Sequence, residues 1–154
     1  MIAAAGADDR VRSALTLGAD AGVNYRASDL AAEVLRITQG RGVDVVFENI
    51  GDPDLFAKAF ASLARGGRLV TAGGHGGGIV PLDVNRLYLD QITVMGARGE
   101  FPADVTRSLQ AAAEGRFKVL IDRILPLSQA VHAHEIVAAR SGIGKVVLDP
   151  TRLN

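Results

Sequence analysis

The 154-residue chain contains no cysteine. Disulfides, cysteine-ligated zinc, iron–sulfur clusters and thiol catalysis are therefore excluded within it. It has no tryptophan, and aromatic residues make up only 5%. It also lacks an excess of either charge, because 17 Lys and Arg face 17 Asp and Glu for a formal net charge of 0. That argues against a nucleic-acid partner held by a broad basic field. No apolar run approaches the ~20 residues needed to span a bilayer. The first residues, Met1-Ile2-Ala3-Ala4-Ala5-Gly6, have no positive flank and run directly into Asp8-Asp9-Arg10. No membrane partner is expected, and the expected location is cytoplasmic.

What is present points to a folded α/β chain. Hydrophobic residues make up 48% and charged residues 22%, too apolar and too balanced for disorder. Glycine, at 18 of 154 residues, is well above the typical ~7%. Short aliphatic runs alternate with amphipathic stretches. Strands are expected over 1–5, 21–25, 43–47, 68–72, 92–95, 119–125 and 145–148. Helices are expected over 8–17, 29–39, 52–64, 85–89, 102–114 and 128–140. Ser28 and Ser128 read as N-caps, Asp52-Pro53 as a cap with proline at the first helical position, and Gly18, Gly40 and Gly115 as stops. Gly66-Gly67 reads as a turn and 73–78 as a flexible loop. Repeated strand–helix alternation with short connections predicts βαβ units and a doubly wound parallel sheet covered on both faces. No linker divides the chain in this reading.

Ligands of open α/β sheets bind at the carboxyl ends of the strands. Those ends are Gly6-Ala7, Tyr25-Arg26, Glu48-Asn49-Ile50-Gly51, Ala72-Gly73-Gly74-His75 and Gly96-Ala97-Arg98. Glycine at several of them lets a flat or phosphorylated ligand approach the backbone, although each glycine singly would also serve an ordinary βα turn. The run Gly73-Gly74-His75-Gly76-Gly77-Gly78 does not match G-x-G-x-x-G and leads to Pro81, not into a helix. A loop bordering a ligand suits it better than a phosphate cradle. His132 and His134 diverge by roughly 200° on a helix and cannot share a metal. His134-Glu135 reads as a surface or helix-packing pair, and His75 as a solvated or ligand-edge side chain with no visible acid–base partner. There is no G-x-S-x-G nucleophile elbow.

Three stretches, Gly18-Ala19-Asp20 with Asn24-Tyr25-Arg26, Gly40-Arg41-Gly42-Val43-Asp44-Val45-Val46-Phe47, and Gly66-Gly67-Arg68-Leu69-Val70, together resemble the medium-chain dehydrogenase/reductases. These are the zinc-type alcohol dehydrogenases and quinone oxidoreductases. Ile121-Asp122-Arg123, Pro126-Leu127, Ala133-His134 and Gly144-Lys145-Val146-Val147-Leu148 resemble the same family's tail. The resemblance covers nearly the whole chain in the family's order. It implies a Rossmann-type NAD(P)-binding domain of an oxidoreductase. It also implies that residues 1–154 form a partial domain, without the first strand, its G-x-G-x-x-G turn and the catalytic domain. Zinc would then come only from that other domain, and this chain would supply no catalytic residue and be inactive alone.

By resemblance the cofactor residues are Gly6, Ala7, Arg10, Tyr25, Asn49, Gly51, Ala72, Gly73, Gly74, Ala97 and Lys145. The end of the Met1–Ala5 run carries no acid to hold a ribose diol. Arg10, four residues after Gly6, and Tyr25 resemble the arrangement that meets a 2′-phosphate, so NADP is expected over NAD. Ala7, where the family often has Ser, and the acids Asp8-Asp9 depart from that pattern. Asn49 and Gly51 resemble the border of the adenosine half. Ala72-Gly73-Gly74 and Ala97 resemble residues near the nicotinamide, and Lys145 a basic residue near the phosphates. In the intact enzyme the substrate would be a small carbonyl compound, alcohol or quinone. Ile92-Thr93-Val94-Met95 resembles the edge strand through which family members form homodimers. The alternative is a non-catalytic α/β dimerisation or small-ligand-binding module.

Overall fold

A computed structural model describes residues 1–99, 101–139 and 142–152. Its contacts divide the chain into two compact units, Met1–Glu100 and Phe101–Asn154.

In the first unit, β1 (Ile2–Ala5) pairs parallel with β2 (Ala21–Asn24), Ile2 opposite Ala21 and Ala5 opposite Asn24. The crossover is α1 (Asp8–Thr16), which ends before Gly18 at φ +104°, a left-handed position that glycine occupies without strain. α1 lies so close to β2 that a Cβ on Gly22 would collide with the Val11 side chain. A second ladder contains β3 (Val43–Glu48), β4 (Leu63–Thr71) and β5 (Thr93–Gly96), all parallel and in that order. Its helices are α3 (Pro53–Ala61) and α4 (Val84–Leu89), while α2 (Leu30–Ile37) connects the two ladders.

Three aspartates start these helices. Asp29, Asp52 and Asp83 accept hydrogen bonds from the backbone N–H groups of Ala32, Leu55 and Arg86 at 2.9, 2.9 and 3.0 Å, each satisfying an amide that the first turn leaves unpaired. Ser28, expected as the α2 cap, instead donates to the Asn24 carbonyl at 3.2 Å, and the cap shifts one residue on. The expected Gly66-Gly67 turn is an irregularity inside β4. The register jumps from Val43 opposite Leu63 to Val45 opposite Arg68. The extra residues bulge, with Gly66 at φ +73° and its N–H bonded to the Asp90 carbonyl at 2.7 Å.

Leu69 is fully buried among Phe56, Phe60, Leu63 and Ile92. A second apolar cluster, Val23, Leu30, Val34 and Ala59, packs against Ile2 of β1 and Val43 and Val46 of β3. The two ladders are therefore tied together through α2 and α3. β1 and β3 are not hydrogen-bonded to each other, so the unit holds two parallel ladders, as expected of a doubly wound sheet that lacks its first strand.

The second unit contains α5 (Pro102–Ala113), β6 (Ile121–Pro126), a 3-10 turn (Leu127–Gln129), α6 (Ala130–Ala138) and β7 (Lys145–Asp149). β6 and β7 are parallel. Ser128 lies inside the 3-10 turn and Gln129 occupies the N-cap position of α6, so Ser128 is not the cap. The expected helix end at Arg140 lies outside the described residues. On α6 it is His132, not His134, that faces Glu135, at 3.4 Å, because positions three apart share a helix face and adjacent ones do not.

Candidate functional site

The strand ends of the second ladder are joined backbone to backbone. After β3 the chain turns through Asn49, Ile50 and Gly51; after β4 it continues through Ala72, Gly73 and Gly74. Gly51 sits at φ +68°, and a Cβ there would stand 2.8 Å from the Gly74 Cα. A Cβ on Gly73 would collide with the Asn49 carbonyl, and one on Gly76 would meet Asp52 N at 2.8 Å. The Gly76 and Gly78 N–H groups donate to the carbonyls of Ile50 and Gly51 at 2.6 and 3.1 Å. The loop read as flexible is thus tethered to the β3 end. Its glycines permit this approach as well as any ligand's.

Beneath this junction lies Glu48, the last residue of β3 and only 5% exposed. Its Oε1 accepts from the Ile50 and Gly51 N–H groups at 2.6 and 2.7 Å, and its Oε2 accepts from the Thr71 hydroxyl at 3.1 Å. A buried carboxylate needs such donors, and three of them fix both strand ends around one side chain. The sequence shows Glu48 only as a charged residue closing an aliphatic run. Its role depends on Thr71, which is distant in the chain.

The joined ends open into a cavity of about 620 Å³ lined by Gly51, Ala72, Gly73, Gly74 and Ala97, with Phe56, Val80 and Val94 as its apolar wall and Arg98 at its border. That volume is in the range of small-molecule sites, and apolar walls with converging backbone polar groups are their usual character. Five of the predicted cofactor residues meet here. The structure places the others elsewhere. At the end of β1, a Cβ on Gly6 would come within 2.9 Å of Tyr25 Oη and 3.1 Å of Arg26 Nε, so Gly6, Tyr25 and Arg26 form one cluster. Arg26 was named at the Tyr25 strand end but not among the cofactor residues. Ala7 takes the N-cap position of α1 without a side-chain cap, and Arg10 lies in that helix's first turns. The nearby acids have local roles. Asp8 Oδ1 accepts from Asn24 Nδ2 at 2.6 Å, and Asp9 Oδ1 accepts from the Arg10 N–H at 2.8 Å. Asn49 and Tyr25 line a different cavity, between β1 and β3. Lys145 opens β7 in the second unit, opposite Ile121.

His75 is exposed and lines neither cavity. Among the described residues, no group of three or more His, Asp or Glu converges as a metal site. None of their helices is long and apolar enough to cross a membrane.

Residues 17–148 match the family model described as zinc-binding dehydrogenase. The chain is 34% identical over 157 aligned residues to quinone oxidoreductase-like protein 2 of Bos taurus, covering 96% of this chain and 45% of that protein. It is 29% identical to quinone oxidoreductase 1 of Escherichia coli strain K12, covering 97% of this chain and 49% of that one. The crystal structure of the alcohol dehydrogenase from Aeropyrum pernix superposes with a TM-score of 0.86 at 25% identity, covering 97% of this chain and 42% of that chain. The chain thus spans less than half the length of each of these relatives. Its parallel α/β fold, its matched stretch and these similarities agree: the chain belongs to the zinc-binding dehydrogenase family, within the medium-chain dehydrogenase/reductase superfamily.

Proposed function

We propose that this chain is the nucleotide-binding part of an NAD(P)H-dependent oxidoreductase of the alcohol dehydrogenase or quinone reductase type, and that it is inactive alone. The supporting observation is the cavity at the carboxyl ends of β3, β4 and β5, lined by the backbone of Gly51, Gly73 and Gly74, the position where open α/β sheets take nucleotides. A bound nicotinamide supplies hydride transfer. In this reading the chain's own residues position it: Glu48 and Thr71 fix the strand ends, and Phe56, Val80 and Val94 exclude water. Asn49 borders the adenosine half, and Lys145 serves the phosphates. Gly6, Ala7, Arg10 and Tyr25 form the 2′-phosphate end, so NADP is the cofactor in preference to NAD. Zinc does not fit the described residues, which offer neither cysteine nor a converging donor set. The substrate is a small carbonyl compound, alcohol or quinone, and the protein is cytoplasmic. The exposed β5 edge pairs with a second copy to form a homodimer.

Calorimetric titration of the purified chain with NADPH and NADH, beside a quinone- and carbonyl-dependent NADPH oxidation assay, tests this. Weak binding that favours NADPH, without turnover, is expected. Enzyme-like turnover by residues 1–154 overturns the inactivity. In the intact enzyme, Arg10→Glu combined with Ala5→Asp should shift preference towards NAD, and unchanged affinity for both nucleotides removes the NADP assignment.

A further inference from the structure

Glu48 lies behind the wall of the cavity at the carboxyl ends of β3, β4 and β5. Its carboxylate accepts from the Gly51 N–H at 2.7 Å and from the Thr71 hydroxyl at 3.1 Å, and Gly51 and Thr71 both line that cavity. Glu48 itself does not line it, but borders the other cavity, between β1 and β3. Only 5% of the residue is exposed. A ligand in the crevice therefore meets the two donors, and the charge stands one residue further back.

The three partners of the carboxylate, the Ile50 and Gly51 N–H groups and the Thr71 hydroxyl, all donate to it, which suits its ionised form. These donors are dipoles without net charge, so a full negative charge remains. A charge shielded from water acts further through protein than an exposed one does. Among the described residues no Asp or Glu lines the cavity, and its one charged lining residue is Arg98, at the border. Asp52, at the same junction, caps α3 by accepting from the Leu55 N–H at 2.9 Å, where the positive end of the helix dipole offsets its charge. Glu48 is thus the uncompensated acid behind an otherwise apolar and glycine-lined wall.

We propose that the Glu48 charge makes this site discriminate between the two redox forms of its nucleotide. The inference rests on the nucleotide-binding role proposed for the chain, in which the crevice takes the nicotinamide. An oxidised nicotinamide ring carries a positive charge and a reduced ring is neutral, while the remainder of the two molecules is the same. Glu48 therefore attracts one ring and is indifferent to the other. It holds the oxidised nucleotide more tightly, relative to the reduced one, than an uncharged residue in its place would. On the protein the pair shifts towards the oxidised form, which favours the nicotinamide as hydride donor over hydride acceptor. Glu48 acts through its charge, from behind the residues that line the crevice.

The test is NMR titration of the full chain, of Glu48→Gln and of Glu48→Asp with NADP⁺ and with NADPH, with circular dichroism to verify folding. The ratio of the two dissociation constants cancels whatever a substitution does to both nucleotides alike. In Glu48→Gln the NADP⁺ constant divided by the NADPH constant should rise roughly fivefold, the order of a partly screened interaction between unit charges across a cavity wall. Glu48→Asp keeps the charge and should keep the parent's ratio, even where both affinities fall. In the unaltered chain, which requires no variant to fold, the carbon-13 signal of the Glu48 carboxyl should move further on saturation with NADP⁺ than with NADPH. The proposal is overturned if Glu48→Gln leaves the ratio unchanged, if Glu48→Asp alters it as Glu48→Gln does, or if the carboxyl signal moves equally with both nucleotides. If neither nucleotide binds the unaltered chain, the nucleotide-binding role falls and this inference with it. Binding of both with an unchanged ratio removes this inference alone.

Discussion

Replacing Glu48 measures how much one buried carboxylate contributes to the joined strand ends. Glu48→Ala removes three accepted hydrogen bonds and leaves the Ile50 and Gly51 N–H groups and the Thr71 hydroxyl without that partner. The Gly51 bond is buried, whereas the Ile50 and Thr71 bonds are only partly so. Water can therefore reach the latter two more easily than the first. A bond to a charged group contributes ~1.5–3 kcal/mol, and an orphaned buried donor costs ~1–3 kcal/mol. With partial rescue by water, the net loss is about 3–5 kcal/mol. Glu48→Gln keeps one carbonyl oxygen in place of Oε1 and offers its amide to the Thr71 oxygen. It loses charge assistance but orphans no group, so about 1–2 kcal/mol is expected.

Urea unfolding followed by circular dichroism suits a chain without tryptophan. With a slope of ~2 kcal/mol per molar urea, the alanine midpoint should fall by about 2 M and the glutamine midpoint by less than 1 M. Exchange of the Gly51 amide should accelerate in the alanine variant and stay slow in the glutamine variant. If alanine lies within ~0.5 kcal/mol of the parent, the level of an ordinary surface change, or if glutamine costs as much as alanine, the account of the junction is wrong.

Gly51→Ala places a Cβ 2.8 Å from the Gly74 Cα at a φ of +68°, and should cost at least ~1 kcal/mol by the same unfolding assay while weakening any ligand of the crevice. Arg86 donates to the carbonyls of Phe60 and Leu63 at 3.2 and 2.8 Å while lying 5.7 Å from the Phe60 ring centroid. Arg86→Lys cannot keep both bonds and the stacking, and should lower stability by ~1–2 kcal/mol. The Arg41 guanidinium, hydrogen-bonded to Asp44, holds that carboxyl below its ordinary range, and the Thr151 hydroxyl does the same for Asp149. Their contribution is complete above the unfolded carboxylate value of ~3.9 and is lost as pH falls through the lower folded values. Asp44→Asn and Asp149→Asn should therefore flatten the fall of the urea midpoint with pH below about 4, and an unchanged slope would remove these pairs from the acid limb.

What could be read from the sequence was local. Asp52-Pro53 opens α3 as expected, and Gly18, Gly40 and Gly115 adopt the positive φ that ends a helix, because each signal depends on one residue's own conformational freedom. Ser28 and Asp29 are both good caps, one position apart. The choice between them depends on Ser28 being engaged with Asn24, which no periodicity shows. The strands β1 to β5 were legible as aliphatic runs, but their pairing was not. An apolar run states that both faces are buried, not which neighbour lies alongside, so the separation of the two ladders was expected only through the family resemblance, which implied a missing first strand.

The candidate site shows the same division. Glycines at the strand ends suggested room for a ligand, and Gly51, Gly73 and Gly74 do border the cavity. Yet the closest groups to Gly51 and Gly73 are other backbone atoms, of Gly74 and Asn49. The glycine requirement comes first from two loops packing on each other. The open face above them follows from that packing, because backbone pressed against backbone leaves no side chains to fill the crevice. Glu48 completes the arrangement by pinning the two loops at the strand ends where they meet. A composition reading detects the excess glycine, whereas the buried acid that makes it useful is one residue among seventeen of its charge. Only the pairing of β3 with β4, which sets Glu48 opposite Thr71, distinguishes it from the sixteen others.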